Sequence, residues 1–565
     1  MRLFQLQIKN FRGIKSLEWT PKSNLICLIG CGDATKTTIL DAIDLALSPR
    51  WELQLDDSDF FNGDHSKPIQ IDATVGPVPD GLIKDTRFGM ELRGWTPEGT
   101  LRDEPSGSDI AVLTVRLIVD SSLEPRWIVV NDRNPDGREI HTRDREQFGV
   151  TRLGALINKH LGWERRSALY RLTGSPDELP SILATAHRAA KQVIGEKELT
   201  KFSEVATTVQ RLVSDVGIAP KVKYGAKLDI QNISFNQGGL AIHDGEVPLR
   251  RAGLGTRRLI TLAIQREVAR QGGIILIDEL EYGLEPHRIR RLLQSLRQRT
   301  TEGQIIFTSH SATVLIEQTA SDVNIVRSNG ETTQALPAED ALQPILRASP
   351  EAFMAQSVLV CEGRTEQGFV RYLDQWWASS NLPSFGYLGV APIDGRGDAA
   401  PARAEQLADL GYKVAYLRDS DVKYDSGNLE KKGVSVITWE GDVSIEQRIA
   451  LDLPWEGILE IIQSAITERG DISVRQTVAN HLGVKIDSVS PDLKTWKDSN
   501  DLRVAIGKAA KGKKEQPGWF KNIDGGEELG RITCNYLNNI KTTDLALKIV
   551  ELRKWLDQDA SETTR

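Results

Sequence analysis

The chain has few cysteines, no long apolar run and no excess of positive charge. Its four cysteines, Cys27, Cys31, Cys361 and Cys534, lack the paired spacing of a zinc site or a disulfide framework. No apolar stretch approaches the roughly 20 residues that a membrane-spanning helix needs, and the amino terminus opens directly with the strand-like LFQLQI. The net charge of −7 argues against a protein coated in nucleic acid. We therefore expect a cytoplasmic protein whose thiols stay reduced.

The composition that remains is typical of a globular protein. Charged residues make up 26% and hydrophobic residues 40% of the 565 residues. This length predicts roughly two to four domains. Two local basic patches are compatible with the negative net charge: Arg288, Arg290, Arg291, Arg297 and Arg299 in one, and Lys508, Lys511, Lys513 and Lys514 in the other. The first patch is best interpreted as a solvated helix face.

A degenerate phosphate-binding loop lies near the amino terminus. The sequence LICLIGCGDATKTTILDAIDLAL predicts a buried strand, a loop and a helix, the context that such a loop requires. The candidate nucleotide-binding residues here are Gly30, Gly32, Lys36, Thr37 and Thr38. Backbone N–H groups at the helix start would hold phosphates, Lys36 would reach the β and γ oxygens, and Thr37 would ligate Mg²⁺.

Thr35 departs from the G-x-x-x-x-G-K-[ST] pattern, since the motif has glycine before the lysine. If this place in the loop requires a positive φ, a β-branched residue is strained there by about 1–3 kcal/mol, equivalent to roughly tenfold or more in nucleotide affinity. We therefore expect ATP binding to be retained and ATP turnover to be weak.

Three further segments complete a nucleotide site in the expected order. A buried strand leads to Asp278, for the Mg²⁺ shell, and to Glu279, which would polarise an attacking water. Another strand, in QIIFTSHS, leads to His310, placed to sense the γ-phosphate. Gly253 and Gly255, in RRAGLGTRRL, stand at the start of a helix suited to phosphate. Each segment alone fits a strand with an ordinary turn, but their combination favours a nucleotide site.

Acidic residues follow two predicted strands in the second half of the chain. The run VLVC leads to Glu362, with Glu366 one helical turn further on, and the run VAYL leads to Asp419 and Asp421. The carboxyl ends of buried strands are where α/β sheets place their ligands. Two carboxylates about 4 Å apart repel by roughly 4 kcal/mol at an effective dielectric near 20. The cluster therefore predicts a divalent cation between these side chains.

The order of the motifs resembles known families. IKNFRGI, the phosphate loop, GLGT, LIDELEYGLEP and TSHS together resemble the ATPase head of the RecF/SMC/ABC class. In that class the nucleotide lies between the phosphate loop of one subunit and the signature of another, so the resemblance implies a homodimer at least. Residues 180–217 predict two short amphipathic helices, interpreted as a dimerisation insert or as a lobe of the head.

From about residue 355 the chain resembles a Toprim domain, with Glu362 as the glutamate of that family and Asp419 and Asp421 as its D-x-D pair. ATPase and Toprim motifs in this order resemble the OLD (overcoming lysogenization defect) family of ATP-dependent nucleases, the group of the nuclease subunit of the Gabija anti-phage system. This resemblance covers essentially the whole chain.

The resemblance adds Glu446 and Lys521 to the candidate nuclease residues. It implies that Glu366 and Glu446 serve a second Mg²⁺ or Mn²⁺ and that Lys521 adds positive charge at the phosphorus. The sequence fits a solvated carboxylate at Glu366 or Glu446, and a surface cation at Lys521, about equally well. The acidic cluster could also be a structural ion-pair network with Arg364 or Arg418.

We therefore predict an α/β protein with an ABC/RecF-like ATPase head in residues 1–340, a Toprim nuclease domain in residues 350–455 and a helical extension in residues 456–565 that completes the nuclease site. The resemblance implies a nucleotide-regulated, metal-dependent DNA endonuclease of anti-phage defence, with ATP and two metal ions as cofactors. It implies a homodimer or tetramer and, in a Gabija-like setting, a UvrD-like helicase as partner. Basic residues near 508–521 would hold DNA phosphates.

Two rival functions remain at this stage. One is a RecF/SMC-like repair or structural ATPase with a non-catalytic Toprim domain, against which the intact acidic set argues. The other is a strand-passing or primer-synthesising enzyme, against which the lack of a zinc pattern and of a tyrosine-bearing breakage–rejoining domain argues.

Overall fold

The computed structural model describes residues 1–50, 53–153, 157–164, 167–173, 200–228, 240–269, 273–298, 303–421, 424–513 and 516–562. The chain divides into two compact units, Met1–Arg347 and Ala348–Arg565.

Strands dominate the first unit. They are β1 Arg2–Phe11, β2 Ile14–Trp19, β3 Leu25–Ile29, β4 Ile69–Gly76, β5 Arg93–Trp95, β6 Leu101–Arg102, β7 Ile110–Val119, β8 Pro125–Val130, β9 Arg138–Glu139, β10 Thr151–Leu153, β11 Tyr224–Leu228, β12 Leu240–Asp244, β13 Val247–Pro248, β14 Ile274–Ile277, β15 Gln304–Thr308, β16 Val323–Ser328 and β17 Thr333–Pro337.

Among the described residues, fourteen of these strands form one sheet in the order β10-β14-β15-β3-β16-β17-β2-β1-β4-β7-β5-β6, with β8 and β9 continuing from β7. The half from β10 to β16 is parallel. The strands β2, β1, β4 and β7 are antiparallel. In the parallel half, β3 (LICLI) and β14 (IILI) are buried along their whole length, as expected for strands covered on both faces. Because β14, β15 and β3 are neighbours, the loops that follow them share one edge of the sheet.

The helices of the first unit flank this sheet. They are α1 Lys36–Leu47, α2 Asp80–Ile83, α3 Thr142–Glu146, α4 Ile157–His160, α5 Ala168–Leu172, α6 Thr200–Asp215, α7 Leu254–Ala269, α8 Pro286–Arg297, α9 Ala312–Glu317 and α10 Gln343–Ala348. Of the predicted insert at 180–217, α6 covers the second part. Residues 180–199 lie outside the described residues.

The second unit has a small parallel sheet and many helices. Its strands are β18 Ser357–Cys361, β19 Val390–Asp394, β20 Lys413–Arg418, β21 Ser435–Thr438, β22 Gly512–Lys513 and β23 Gln516–Pro517. Its helices are α11 Arg364–Ser379, α12 Phe385–Leu388, α13 Ala400–Asp409, α14 Gly427–Lys431, α15 Ile445–Asp452, α16 Trp455–Arg469, α17 Asp471–Leu482, α18 Asn500–Lys511, α19 Ile523–Tyr536 and α20 Asp544–Glu562.

In the described part of this unit, β19, β18, β20 and β21 pair in that order, and every pair is parallel. One hydrophobic core runs from the sheet, for example Leu359 and Leu417, to the last helix, for example Leu552 and Leu556. The carboxyl-terminal helices therefore complete the core of the sheet that precedes them. The predicted α/β class is confirmed.

No helix among the described residues combines the length and the apolar character needed to cross a membrane.

Candidate functional site

The phosphate-binding loop joins β3 to α1, as predicted. The Nζ atom of Lys36 donates to the carbonyl oxygens of Gly30 and Cys31, at 3.0 and 2.6 Å, and the residue is only 5% exposed. Burial lowers the pKa of Lys36. Gly30 is required by a close approach, since a Cβ atom there would lie 2.3 Å from the carbonyl oxygen of Val326. Gly32 is exposed, and Thr38 lies in the first turn of α1.

Thr35 precedes α1 and adopts the left-handed conformation, with φ 63° and ψ 17°. This place in the loop therefore does require the positive φ that glycine tolerates. The methyl group of Thr35 packs against Gly13, where a Cβ atom would lie 2.9 Å from it. The buried hydroxyl oxygen of Thr35 has no hydrogen-bond partner among the described residues.

Asp278 and Glu279 follow β14 at the same edge of the sheet. The Oδ1 atom of Asp278 accepts hydrogen bonds from the hydroxyls of Thr37, at 3.1 Å, and Thr308, at 2.6 Å. Its Oδ2 atom lies 3.4 Å from Nη2 of Arg152. Glu279 is exposed and has a φ of 47°, and its backbone N–H donates to Thr308. The structure thus brings Thr37 and Asp278, the two predicted Mg²⁺ ligands of this site, into contact.

His310 lies two residues beyond the end of β15 and is exposed, so it is not a core histidine. Its backbone N–H donates to Oε1 of Glu281 at 2.6 Å. Glu281 and Arg152 were not among the residues predicted from the sequence. Glu281 follows β14, and Arg152 lies in β10, which pairs with β14. Their closeness to the site follows from the fold and not from a sequence motif.

The second predicted phosphate site lies at the start of α7. Gly253 is exposed and has open space around it, whereas Gly255 is buried against the backbone of Gly283. A Cβ atom on Gly255 would lie 2.3 Å from the carbonyl oxygen of Gly283. Packing alone accounts for Gly255. Arg258, in the first turns of α7, donates to the carbonyl oxygens of Asp278 and Glu279 and so links this helix to the edge that carries them.

In the second unit, the predicted acids lie together at the carboxyl edge of the parallel sheet. Glu362 follows β18, and Asp419 and Asp421 follow β20, which pairs with β18. The carboxylate oxygens of these three residues lie within 4.8 Å of one another. The Oε2 atom of Glu362 accepts the backbone N–H of Asp419 at 2.8 Å, which fixes the two loops against each other.

Buried negative charge dominates the electrostatics of this cluster. Asp419 is 8% exposed, and its Oδ1 atom accepts hydrogen bonds from the Trp439 indole, at 3.2 Å, and the backbone N–H of Ile445, at 2.8 Å. Burial raises the pKa of Asp419 well above its ordinary value, and the charges of Glu366 and other carboxylates add to the rise. Burial also raises the pKa of Glu362, a shift that the backbone N–H of Asp419 opposes. The structure therefore leaves negative charge here that a cation would compensate.

Glu366 is buried, contrary to the solvated-carboxylate interpretation, and it does not share a helical face with Glu362. Glu362 lies outside the helix, because α11 begins at Arg364. Glu366 is 4% exposed, and its Oε2 atom accepts the backbone N–H of Gly363 at 2.8 Å. Burial and the neighbouring charge of Glu446 raise the pKa of Glu366 to about 7.

Glu446, in the first turn of α15, forms an ion pair with Lys521. The Nζ atom of Lys521 lies 2.6 Å from Oε1 of Glu446, and the Ser444 hydroxyl donates to Oε2 at 2.7 Å. Glu446 is 2% exposed, which excludes a solvated carboxylate. Partial burial lowers the pKa of Lys521, but the charges of Glu446, Glu366 and Asp419 outweigh this effect and leave the pKa raised.

Lys521 reaches the cleft because α11 and α19 pack closely through glycines. A Cβ atom on Gly526 would lie 2.2 Å from the carbonyl oxygen of Thr365, and one on Gly368 would lie 2.0 Å from that of Ile523. The hydroxyl of Thr365 also donates to the carbonyl oxygen of Phe520 at 2.8 Å. These contacts hold Lys521, two residues before the start of α19, beside the start of α11.

The basic patch predicted near 508–521 is partly committed to carboxylates. Lys511, at the end of α18, pairs with Asp421, and Lys521 pairs with Glu446. Lys514 lies outside the described residues. The alternative of an ion-pair cluster through Arg364 is not what the structure shows, since Arg364 pairs with Asp394.

The donor set fits a hard divalent cation. The candidate ligands offer only carboxylate oxygens, the ligand type that Mg²⁺ and Mn²⁺ prefer. The proximity of these carboxylates and the raised pKa values of Glu362 and Asp419 indicate an excess of negative charge that a divalent cation would compensate. Glu362, Asp419 and Asp421 are the candidates for one ion. Whether Glu366 and Glu446 hold a second ion depends on the release of Glu446 from Lys521.

Comparison with known proteins identifies ATPase sequence in the first unit. Residues 187–317 match the family described as “AAA domain, putative AbiEii toxin, Type IV TA system”. An AAA domain implies nucleotide binding. Over 345 residues the chain is 25% identical to the OLD nuclease of Thermus scotoductus, a match that covers 55% of this chain and 59% of that protein. The chain thus spans about three fifths of that relative.

Similar solved structures include SMC heads. They include an SMC head bound to the C-terminal winged-helix domain of ScpA (15% identity, TM-score 0.40, 61% of this chain and 100% of that chain) and the SMC head domain from Thermotoga maritima (12% identity, TM-score 0.32, 60% and 100%). Together, the family match and the curated relative make the chain similar to OLD-like ATPases.

Proposed function

We propose that the chain is a nucleotide-regulated DNA endonuclease that depends on divalent metal ions. The observation that carries the proposal is the convergence of Glu362, Asp419 and Asp421 within 4.8 Å at the carboxyl edge of a parallel sheet. The similarity to the OLD nuclease of Thermus scotoductus supports a nuclease role. We assign the sheet and its acidic edge to the Toprim type on this arrangement.

The residues of the cleft have separate tasks. Glu362, Asp419 and Asp421 would hold one Mg²⁺ or Mn²⁺, and Glu366 and Glu446 a second. When bound, such ions lower the pKa of an attacking water and neutralise the leaving oxygen. Lys521 would turn its ammonium group toward the scissile phosphate, where negative charge increases during reaction. Trp439 and the backbone of Ile445 hold the Asp419 carboxylate in place for this chemistry.

The first unit would supply regulation. Lys36 would exchange its two carbonyl partners for nucleotide phosphate oxygens, and Thr37 and Asp278 would share a Mg²⁺. Gly253, Gly255 and the start of α7 would meet the nucleotide of a second copy, with Glu279 and His310 acting in hydrolysis. We assign the whole to anti-phage defence, with a co-encoded UvrD-like helicase as the expected partner in a Gabija-like system.

Nicking of supercoiled plasmid with Mn²⁺ tests the nuclease. The Asp419→Asn variant keeps the shape of the side chain and is expected to lose activity by about 100-fold or more, since removal of groups that merely support metal ligands already costs about 10–100-fold. Asp487→Asn, which removes an exposed carboxylate, is the matched control and should nick like the wild type. Wild-type protein that nicks with neither Mg²⁺ nor Mn²⁺ would favour the RecF-like structural ATPase.

A further inference from the structure

We propose that Arg364 and Arg396 bind the DNA phosphates that flank the scissile bond, and that Asp394 positions both arginines. The proposal rests on the nuclease function proposed above and adds the surface that receives the DNA strand. It moves that surface away from the lysines near 508–521, which the sequence favoured.

The two arginines line the same cleft as the acidic cluster. This cleft has a volume of about 410 Å³, and its lining includes the buried acids Glu366 and Asp419, together with Lys521, Arg364 and Arg396. A strand of DNA that enters it brings one negative charge per phosphate toward several carboxylates. Cations are therefore needed where the neighbouring phosphates lie.

Arg364 and Arg396 still have N–H donors to offer to a phosphate, whereas two nearby lysines are already paired with carboxylates. Lys511 and Lys521 form ion pairs with Asp421 and Glu446. The Nε atom of Arg364 lies 3.5 Å from Oδ2 of Asp394, and the side chain of Arg364 is 67% exposed. The exposed Arg396 side chain has no carboxylate partner within the described residues. Both guanidinium groups can thus present their paired N–H donors to phosphate oxygens.

Asp394, the last residue of β19, organises this pair. Its Oδ1 atom accepts the backbone N–H of Arg396 at 2.8 Å, and its Oδ2 atom faces Arg364. The buried Arg403 donates to its carbonyl oxygen at 3.0 Å, which holds the end of the strand. One carboxylate therefore sets the positions of two arginines that come from different loops.

Both arginines occupy places where the local structure does not favour them. Arg396 has a φ of 62°, a conformation that is unfavourable for a residue other than glycine. Arg364 is the first residue of α11, where a cation opposes the helix dipole. A bound anion would offset the unfavourable position of Arg364 at the start of the helix. It would also contact the Arg396 side chain in the direction that the positive φ gives it. This combination is typical of a binding site and not of a solvated surface.

The test compares Arg364→Ala/Arg396→Ala with the wild type on a 30-base-pair DNA duplex. Steady-state cleavage with Mn²⁺ should show a rise in KM of about tenfold or more and a smaller change in kcat. Binding measured by fluorescence anisotropy with Ca²⁺ should lose about two units of salt dependence, one for each phosphate contact. Asp394→Asn, which keeps the acceptor for Arg396 but weakens the pair with Arg364, should give an intermediate KM. Lys554→Ala removes an exposed charge outside the cleft and should match the wild type.

Two results separate this inference from the function on which it rests. Wild-type hydrolysis of bis(p-nitrophenyl) phosphate, which has no flanking phosphate, tests the metal-dependent chemistry alone, and its absence would remove the nuclease assignment. A double arginine variant with wild-type KM and wild-type salt dependence would overturn the phosphate-binding assignment, whatever the activity on the small diester.

Discussion

The two candidate sites differ in how their acids are compensated. In the first unit, Asp278 is held by two threonine hydroxyls and by the guanidinium of Arg152. In the second unit, Glu362 and Asp419 accept neutral N–H groups, and burial raises the pKa of both. Asp421 and Glu446 in that unit are paired with Lys511 and Lys521, so the contrast concerns Glu362 and Asp419. Asp278 has a guanidinium beside it, whereas Glu362 and Asp419 have only neutral donors among the described residues and leave negative charge uncompensated. A cation-binding site is the simplest explanation of this uncompensated negative charge.

The sites also differ in how the chain assembles them. The phosphate loop is one continuous strand, loop and helix, from β3 to α1. The acidic cleft combines the ends of two strands with the starts of α11 and α15 and with Lys521, which lies far along the sequence. A contiguous loop tolerates local faults such as Thr35, but the cleft depends on the packing of α11, which carries Glu366, against α19, which carries none of the candidate residues.

The largest effect on stability is expected when the ion pair of Glu446 is broken. Lys521→Met leaves a buried carboxylate without its cation, which costs about 3 kcal/mol of unfolding free energy, toward the low end for such pairs because Lys521 is partly exposed. The double variant Lys521→Met/Glu446→Gln should recover most of this loss. Differential scanning calorimetry of the full chain measures both.

Arg152→Ala is the matched change in the first unit. Asp278 keeps two hydroxyl donors there, and Asp41, which also pairs with Arg152, keeps Arg12, so we expect a cost of about 1 kcal/mol. If this variant loses as much stability as Lys521→Met does, the contrast between the two sites does not hold.

Gly526→Ala tests the non-local assembly of the cleft. Its Cβ atom would meet the carbonyl oxygen of Thr365, so α11 and α19 must separate, at about 2 kcal/mol. Because Lys521 lies two residues before the start of α19, plasmid nicking should fall as well, by about tenfold. Gly386→Ala is the control, since a Cβ atom there has open space apart from one contact at 3.8 Å. Equal behaviour of the two variants in calorimetry and in nicking would contradict the proposed packing role.

The pH dependence of metal binding tests whether the acidic cleft carries uncompensated negative charge. A carboxyl whose pKa is raised in the fold, to about 7 for Glu366, binds a proton more tightly in the folded than in the unfolded chain. Its contribution to stability is present at low pH and is lost as the pH rises from about 4.5 to 7, on the order of 2 kcal/mol. The metal-free protein should therefore unfold at a lower temperature at pH 7.5 than at pH 5.5.

Mn²⁺ should reverse that trend, because it binds the deprotonated carboxylates and stabilises the fold by mass action. The increase in Tm on adding Mn²⁺ should be larger at pH 7.5 than at pH 5.5, and Glu366→Gln should reduce the difference. An increase in Tm that is the same at both pH values would show that these carboxyls do not titrate with the metal.

The sequence was sufficient for the parts of both sites that follow apolar runs. VLVC and VAYL predicted two strands, and parallel strands place their carboxyl ends side by side, so Glu362 could be expected near Asp419. The spacing of four between Glu362 and Glu366 predicted neither the burial of Glu366 nor the position of Glu362 outside the helix. The start of a helix depends on backbone geometry that several residues around Gly363 decide together.

Contacts between segments that are distant in the chain could not be predicted from the sequence. Lys511 and Asp421 meet because α18 ends beside the loop after β20, and no local pattern encodes that meeting. The spacing of Gly526 and Gly530, one helical turn apart, was the available signal for close packing of α19 against α11. Arg396 follows a strand in the run DGRGD, but its role depends on where Asp394 points.

The smallest expected effect concerns Thr35 in the phosphate loop. The positive φ of Thr35 belongs to the backbone that joins β3 to α1, so we expect its strain to reduce the stability of the fold more than ATP affinity. Thr35→Gly should stabilise the protein by about 1 kcal/mol, because it removes the strain and an unpaired hydroxyl. Its ATP affinity, measured by calorimetric titration, should change by less than tenfold. Gly13→Ala should destabilise the wild type, since its Cβ atom would meet the Thr35 methyl, and should cost less in the Thr35→Gly background. Additive effects of the two changes would mean that the loop relieves the clash by moving, and the strain would then be carried elsewhere.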